Sequence, residues 1–374
     1  MPDEEVIVGR SSRFSRTLLA VASACCALAC LLPAPDADAC TGITLTAQDK
    51  AHIVARSIEW GASKLESRLV VSGRGRAVQT TAAEGPGLSY VSRYGFVGVS
   101  ILKDEYVVEG LNEKGLSAGL FFFPGCGGYP AYQAAEQSHT VSDMEFVAWM
   151  LSNFASVDEV KKAAPSIRLS AAIAEAGTLH FRAADESGAQ IVIEVVDGVM
   201  HIYDNPLGVL TNSPDFPWQM KNLNNYLNLR AGPAASADWG AVKLQQFGMG
   251  AGLLGMPGDI SPSSRFVRAA FLQATAPALQ DARAAVVYSF TILNSFDIPI
   301  GLELSSKSEK TALVSATQWT SASDAGNRAF YYRTAQNPRI RAVDLKAIDF
   351  SRPRFDSRPL DDEDEAPIEK LDIR

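Results

Sequence analysis

The sequence predicts an α+β fold of packed sheets covered by helices. Three observations lead there. β-runs lie at both ends of the chain, helical spacing is confined to segments between them, and hydrophobic residues make up 47% of the 374 residues, enough for a sizeable core. Charge excludes one broad class of function. Lys+Arg 34 against Asp+Glu 42 gives a net charge of −8, so no nucleic-acid partner is expected. Four histidines and five cysteines, with neither HExxH nor paired CxxC motifs, leave little for a metal cluster, and no cofactor is implied.

The first segment reads as an address. Arg10, Arg13 and Arg16 precede an apolar run over 18–32, then Pro33, Pro35 and Ala37-Asp38-Ala39. This is the order of a secretory signal peptide cut after Ala39. The run is shorter than the ~20 residues of a membrane span, and no later segment reaches that length without charges. We therefore expect a protein without a transmembrane span, periplasmic or secreted. Residues 1–39 would be the removed signal and 40–350 a single folded domain. Residues 351–374, with the run Asp361-Asp362-Glu363-Asp364-Glu365, would be an acidic, Pro-containing, flexible tail.

Within the domain, residues 41–46 and 52–60 read as two β-runs joined by a Gln48-Asp49-Lys50 turn. Such a hairpin brings Arg56 and Glu59 back beside Cys40. Further strands are predicted near 95–102, 116–123, 178–183, 190–196, 313–318 and 329–334. Ser142-x-x-Glu145 and Ser156-x-x-Glu159 have capping-box spacing. The first opens the amphipathic set Phe146, Val147, Met150, Leu151 and Phe154. Other helices are predicted at about 218–227, 264–275 and 279–293. Two motifs are decoys. Gly115-Leu116-Ser117-Ala118-Gly119 spells GxSxG, but a turn precedes Ser117 and a β-run follows it, the reverse of a nucleophile elbow. Gly250-Ala251-Gly252-Leu253-Leu254-Gly255 spells GxGxxG, but Met256-Pro257-Gly258 ends any helix at once.

Cleavage after Ala39 would make Cys40 the first residue, and leave Cys126 as the other cysteine. Cys126, in Gly125-Cys126-Gly127-Gly128, reads as a loop cysteine without a role. Cys40 has three readings. It is incidental; or it is acylated as a lipoprotein, although Ala37 and Asp38 make a poor lipobox; or it is an N-terminal nucleophile. The last is chemically economical. A free thiol has a pKa near ~8.5 and an α-amine one near ~7.7–8.0, so the amine of the same residue can serve as base. Such a site needs a cation by the thiol, an anchor for the amine and donors for an oxyanion.

Cys40-Thr41-Gly42 followed by Ala55-Arg56-Ser57-Ile58-Glu59-Trp60 resembles the choloylglycine hydrolase and penicillin V acylase family of N-terminal nucleophile hydrolases. Asn112-Glu113-Lys114-Gly115-Leu116, Thr211-Asn212-Ser213-Pro214 and Pro257-Gly258-Asp259 with Ser264-Arg265-Phe266-Val267-Arg268 follow in the family's order. Thr317-Gln318-Trp319-Thr320 and Tyr331-Tyr332-Arg333-Thr334 close it. The resemblance implies a four-layer αββα sandwich, two packed, largely antiparallel sheets covered by helices. It implies Cys40 as nucleophile, Arg56 beside the thiol, Glu59 near the amine, Asn212 as oxyanion donor and Arg265 as an orienting residue. Familiar members carry Asp where Glu59 stands. The second oxyanion donor would be the backbone N–H of Phe122, with Phe122 and Trp60 as candidate substrate contacts. The substrate would be a small-molecule amide with an apolar acyl group: a penicillin, a conjugated bile acid or an N-acyl homoserine lactone. A homo-oligomer, a tetramer, is also implied by the resemblance. The rival from another class is a lipid-anchored or soluble binding protein on the same scaffold, with Cys40 modified or inert.

Overall fold

The structure is a computed structural model, and it describes residues 39–61, 63–173, 177–302, 315–362, 368 and 370–373. The predicted signal over 1–39 lies outside them except for Ala39. Two main sheets face each other. The five-stranded sheet runs in the order β1 (Ala39–Thr46), β2 (His52–Glu59), β16 (Thr317–Asp324), β17 (Ala329–Thr334) and β18 (Arg341–Asp344). The eight-stranded sheet runs β13 (Val199–Asp204), β12 (Gln190–Val196), β11 (Leu179–Ala184), β8 (Ser117–Phe122), β7 (Val107–Asn112), β6 (Phe96–Ser100), β3 (Arg68–Ser72) and β19 (Phe355–Pro359). Every neighbouring pair in both is antiparallel. Among the described residues, three small pairs complete the strands: β4 (Ala77–Ala82) with β5 (Gly85–Val91), β9 (Thr140–Ser142) with β10 (Arg168–Ser170), and β14 (Ala237–Trp239) with β15 (Val242–Leu244).

Helices cover both outer faces. They are α1 (Phe146–Asn153), α2 (Val157–Ala163), α3 (Phe216–Asn222), α4 (Pro262–Ala274) and α5 (Ala282–Asn294). α1 lies on β7 and β8, α4 on β1, and α5 on β1, β2 and β16. This is the four-layer αββα sandwich. Because both faces of the central strands are covered, they read as continuous buried runs: β7 is buried throughout and β2 at all but its first residue. A half-solvated strand would alternate instead. A continuous cluster of buried side chains runs through the layers and includes Ile43, Ala55, Phe96, Val97, Leu111, Phe121 and Phe181.

Several local expectations are corrected. Ser142 makes no side-chain cap, and Glu145 instead accepts from Thr81 N and Thr81 Oγ1, so a sheet-to-helix tie replaces a capping box. Ser156 does cap α2, accepting from Glu159 N, while the Glu159 carboxylate accepts from Ala155 N, one residue before the cap. The helix predicted over 218–227 divides into α3 and a 3-10 turn, Leu223–Tyr226. The strand predicted near 313–318 is β16, which begins at Thr317 and runs on to Asp324; residues 313 and 314 lie outside the described ones. The tail predicted from residue 351 contains β19, paired with β3. Arg341 Nη1 then donates to Leu360 O at 2.7 Å and to Asp361 Oδ1 at 2.6 Å. Pro359 is tolerated there because β19 is an edge strand. Of the acidic run, Glu363 to Glu365 lie outside the described residues.

Gly42 on β1 packs against side chains of the facing sheet. A Cβ there would come within 2.7 Å of Arg182 Nη1 and 2.9 Å of the Phe121 ring. Both are buried, so neither can swing into solvent. Gly42→Ala should therefore lower unfolding stability by about 1–3 kcal/mol through overpacking. The urea midpoint measures this, and an unchanged midpoint would show that the sheets part freely at Gly42.

Candidate active site

The β1–β2 register builds the site. Ala39 faces Glu59, Cys40 faces Ile58 and Gly42 faces Arg56. Residues opposite one another share a face, and faces alternate along a strand. Cys40 and Arg56 thus point between the sheets, while Thr41 and Glu59 point to the helix-covered side. Arg56 is fully buried. Its Nη2 donates to Cys40 Sγ at 2.7 Å, its Nη1 to Leu120 O at 2.6 Å and its Nε to Ser57 O at 3.2 Å. Its guanidinium lies 4.3 Å from the Phe121 ring centroid, a cation–π contact. Glu109 Oε2 stands 3.9 Å from Arg56 Nη1, and Glu109 Oε1 accepts from Arg182 Nη2 at 3.1 Å.

The other edge of β1 carries the second half. Gly42 N donates to Leu210 O at 2.7 Å and Leu210 N to Gly42 O at 3.2 Å. That short pairing draws Asn212 alongside Cys40. Cys40 N donates to Asn212 Oδ1 at 2.9 Å, and Asn212 Nδ2 donates to Phe122 O at 2.8 Å. Arg265, buried in the first turns of α4, joins the pieces. Its Nη1 donates to Cys40 O at 2.5 Å and Thr41 Oγ1 at 2.9 Å, its Nη2 to Asn212 Oδ1 at 2.6 Å. The turn before α4 is ordered by Asp259, which accepts from Ser261 N and Ser264 Oγ. Those two serines hold the Asp259 carboxyl down at about 2.

Burial pushes the Cys40 thiol above its ordinary pKa. Arg56 opposes that shift most, Glu59 adds to it, and Arg265 and the Phe122 N–H, which hydrogen-bonds the sulfur, pull it down. Glu109 is likewise pushed up by burial, against the pull of Arg182 and Arg56.

The structure thus brings Cys40, Arg56, Asn212, Arg265 and the backbone of Phe122 together. Glu59 is buried one strand away, opposite Ala39, with Thr317 Oγ1 at 3.5 Å from its Oε1. Trp60 is half-buried against the core, its indole N–H donating to Ser63 Oγ at 3.0 Å, and its hydrogen bonds do not reach Cys40. Of the three phenylalanines at 121–123, only Phe122 keeps exposure; Phe121 and Phe123 belong to the interior. Ser117 opens a strand and has no helix behind it, and the 250–255 glycines surround a short 3-10 turn. Cys126 is a half-buried free cysteine. Sequence reading missed Glu109 and Arg182. Each is a charge set in an otherwise apolar run, Val107-Val108-Glu109-Gly110-Leu111 and His180-Phe181-Arg182-Ala183, and that opposite pair of anomalies was the available signal.

An αββα sandwich with a buried cysteine at the start of its first strand defines the N-terminal nucleophile hydrolase architecture. Residues 40–362 match the linear amide C–N hydrolases of the choloylglycine hydrolase family, and the chain belongs to that family. It is 32% identical over 313 residues to a bile salt hydrolase/transferase of Clostridium perfringens, covering 82% of this chain and 92% of the relative. A penicillin V acylase of Pectobacterium atrosepticum is 26% identical over 323 residues, covering 80% of this chain and 78% of the relative. A crystal structure of a variant conjugated bile acid hydrolase from Clostridium perfringens superposes with a TM-score of 0.76 at 27% identity, over 89% of this chain and all of that one.

The charges around Cys40 predict opposite shifts in its alkylation profile. Arg56→Gln should move the pH inflection of iodoacetamide reaction upward, because the group lowering the thiol pKa is gone. Glu59→Gln should move it downward. Shifts of the same sign in both variants would contradict this electrostatic assignment.

Proposed function

We propose that residues 1–39 are removed on export and that Cys40, then the first residue, is the nucleophile of an amidohydrolase acting on N-acyl amides with an apolar acyl group. One observation carries the reading. The sulfur is held by Arg56 at 2.7 Å while the nitrogen of the same residue is held by Asn212 at 2.9 Å. Thiol and amine-to-be are anchored separately, with Glu59 opposite the residue that would leave.

The amine accepts the thiol proton, directly or through one water. Sulfur attacks the amide carbon, and the carbonyl electron pair moves to oxygen. That oxyanion accepts from the Phe122 N–H and from Asn212 Nδ2, which turns from Phe122 O to do so. The ammonium then gives its proton to the leaving nitrogen as the C–N bond breaks, leaving a thioester on Cys40. Water, deprotonated by the amine, attacks the thioester and releases the acid and the thiol. Arg265 holds Asn212 and the Cys40 carbonyl through both steps. The carboxylate of Glu59 balances the ammonium while it exists. Relatives named as bile salt hydrolases and penicillin V acylases support an apolar acyl half, and half-exposed Phe122 beside the thiol suits it.

N-terminal sequencing and intact mass of the exported protein should give a start at unmodified Cys40. A different start, or a lipidated Cys40, overturns the reading. With glycine- and taurine-conjugated bile acids, phenoxyacetyl-penicillin and an N-acyl homoserine lactone as the panel, Cys40→Ser should abolish turnover of every substrate the parent cleaves. Asn212→Ala should lose roughly 10²–10³ in kcat, as for removal of one oxyanion donor; an unchanged kcat would remove Asn212 from that role.

A further inference from the structure

A second buried acid–base pair lies behind Asn212, outside the cluster around Cys40. His180 on β11 and Glu194 on β12 are both fully buried. His180 Nδ1 is 3.0 Å from Glu194 Oε1, and His180 Nε2 is 3.1 Å from Thr211 O. A carbonyl only accepts, so Nε2 carries a hydrogen and donates. One proton then lies between Nδ1 and the carboxyl, whichever group holds it formally. The imidazole is locked in its plane by Phe123, stacked at 4.5 Å with 7° between rings, and by the edge-on Phe121. Glu194 Oε1 also accepts from Phe216 N at 3.0 Å.

These contacts have a geometric consequence. Thr211 and Phe216 are the two ends of the loop that carries Asn212. His180 grips the first end through its carbonyl, Glu194 grips the second through its N–H, and the two grips are joined by the His180–Glu194 bond. The Asn212 carbonyl accepts a long bond from Gln219 Nε2, at 3.4 Å, while its side-chain amide is held by Cys40 N, Phe122 O and Arg265 Nη2. Ser213 Oγ binds Pro124 O and Thr211 Oγ1 binds Pro262 O, which hold the neighbouring residues rather than Asn212.

We propose that His180 and Glu194 are positioning residues that clamp the 211–216 loop and thereby aim the Asn212 amide at the oxyanion. The proposal rests on the reading of Asn212 as an oxyanion donor. The pair makes no hydrogen bond to Cys40; its hydrogen bonds go to the two ends of the Asn212 loop, and the His180 ring also packs on Phe121 and Phe123, so the test must separate a route through Asn212 from one through the thiol. A misplacement of about 1 Å at a reacting centre costs up to roughly 10²-fold in rate. A clamp of this kind should therefore act on kcat and leave KM and the thiol nearly unaltered.

The test is a double-mutant cycle on the processed enzyme, with the best substrate of the panel. Glu194→Ala and His180→Gln should each lower kcat by about 10- to 100-fold at similar KM, while Cys40 alkylation by iodoacetamide, which needs no oxyanion hole, keeps its rate and pH profile. Glu194→Gln retains an oxygen for Phe216 N–H and should recover most of the loss. In the Asn212→Ala background, Glu194→Ala should cost less than threefold more, because the residue it positions is gone. Additive losses would overturn the proposal, as would lost alkylation together with lost turnover, which marks a merely structural pair. If Glu194→Ala fails to fold, the same cycle is run with His180→Gln. A Cys40→Ser enzyme that still turns over, or an Asn212→Ala enzyme at parental kcat, defeats the underlying reading instead, so the two failures are distinct.

Discussion

Arg56 sets the terms for the rest of the site. An unpaired guanidinium between two packed sheets would carry a desolvation cost of several kcal/mol. The fold offsets it with the backbone carbonyls of Ser57, Val108 and Leu120, the Cys40 sulfur and Glu109. Each of these makes a further demand. Glu109 is itself buried, and Arg182 completes its pairing. Room for the three side chains comes from glycine: Gly42 stands directly opposite Arg56, and a Cβ on Gly119 would overlap the Glu109 carboxylate. Two guanidiniums against one carboxylate leave an excess positive charge, and the group positioned to balance it is a thiolate. In the chain that still carries Ala39, burial of Cys40 outweighs that pull and keeps the thiol above its ordinary pKa.

The free edge of β1 explains the other half of the arrangement. An edge strand presents unpaired N–H and C=O groups, which most proteins cover or blunt. Here they are put to use. Gly42 pairs with Leu210, Cys40 N donates to Asn212 and Cys40 O accepts from Arg265. Two segments distant in sequence, 210–212 and the first turn of α4, are thereby registered on Cys40 and Gly42 through the main chain of β1. The sulfur faces inward to Arg56 while the nitrogen faces the edge, so the two ends of the proposed nucleophile–base pair sit in different environments. Arg56 favours the thiolate against the opposing effect of burial, and a hydrogen-bonded rim suits an amine that gains and loses a proton.

Much of this was legible in the sequence, and the reasons are specific. The β1–β2 hairpin could be read because its turn residues are explicit and its strands are adjacent, so the relation of Arg56 and Glu59 to Cys40 followed from counting. Asn212 and Arg265 could not be derived by counting, since each reaches Cys40 across a long loop; ordered motifs of the resemblance supplied them. Glu109 and Arg182 were missed because a buried charge in an apolar strand looks like any polar residue until its partner's strand is known to be nearby. β19 was missed because Asp356, Arg358 and Pro359 are surface-like residues, and only pairing with β3 makes them a strand. The Ser142 capping box failed for a tertiary reason: Glu145 is taken by Thr81 of a neighbouring strand.

The central claim is that acyl transfer goes through the sulfur of Cys40. Acid quenching of the processed enzyme during turnover, followed by intact mass and peptide mapping, tests it most directly. The account predicts a mass increase equal to the acyl group less one hydrogen, located on the N-terminal Cys40 peptide and released by hydroxylamine. Steady turnover with the adduct on another residue would contradict it.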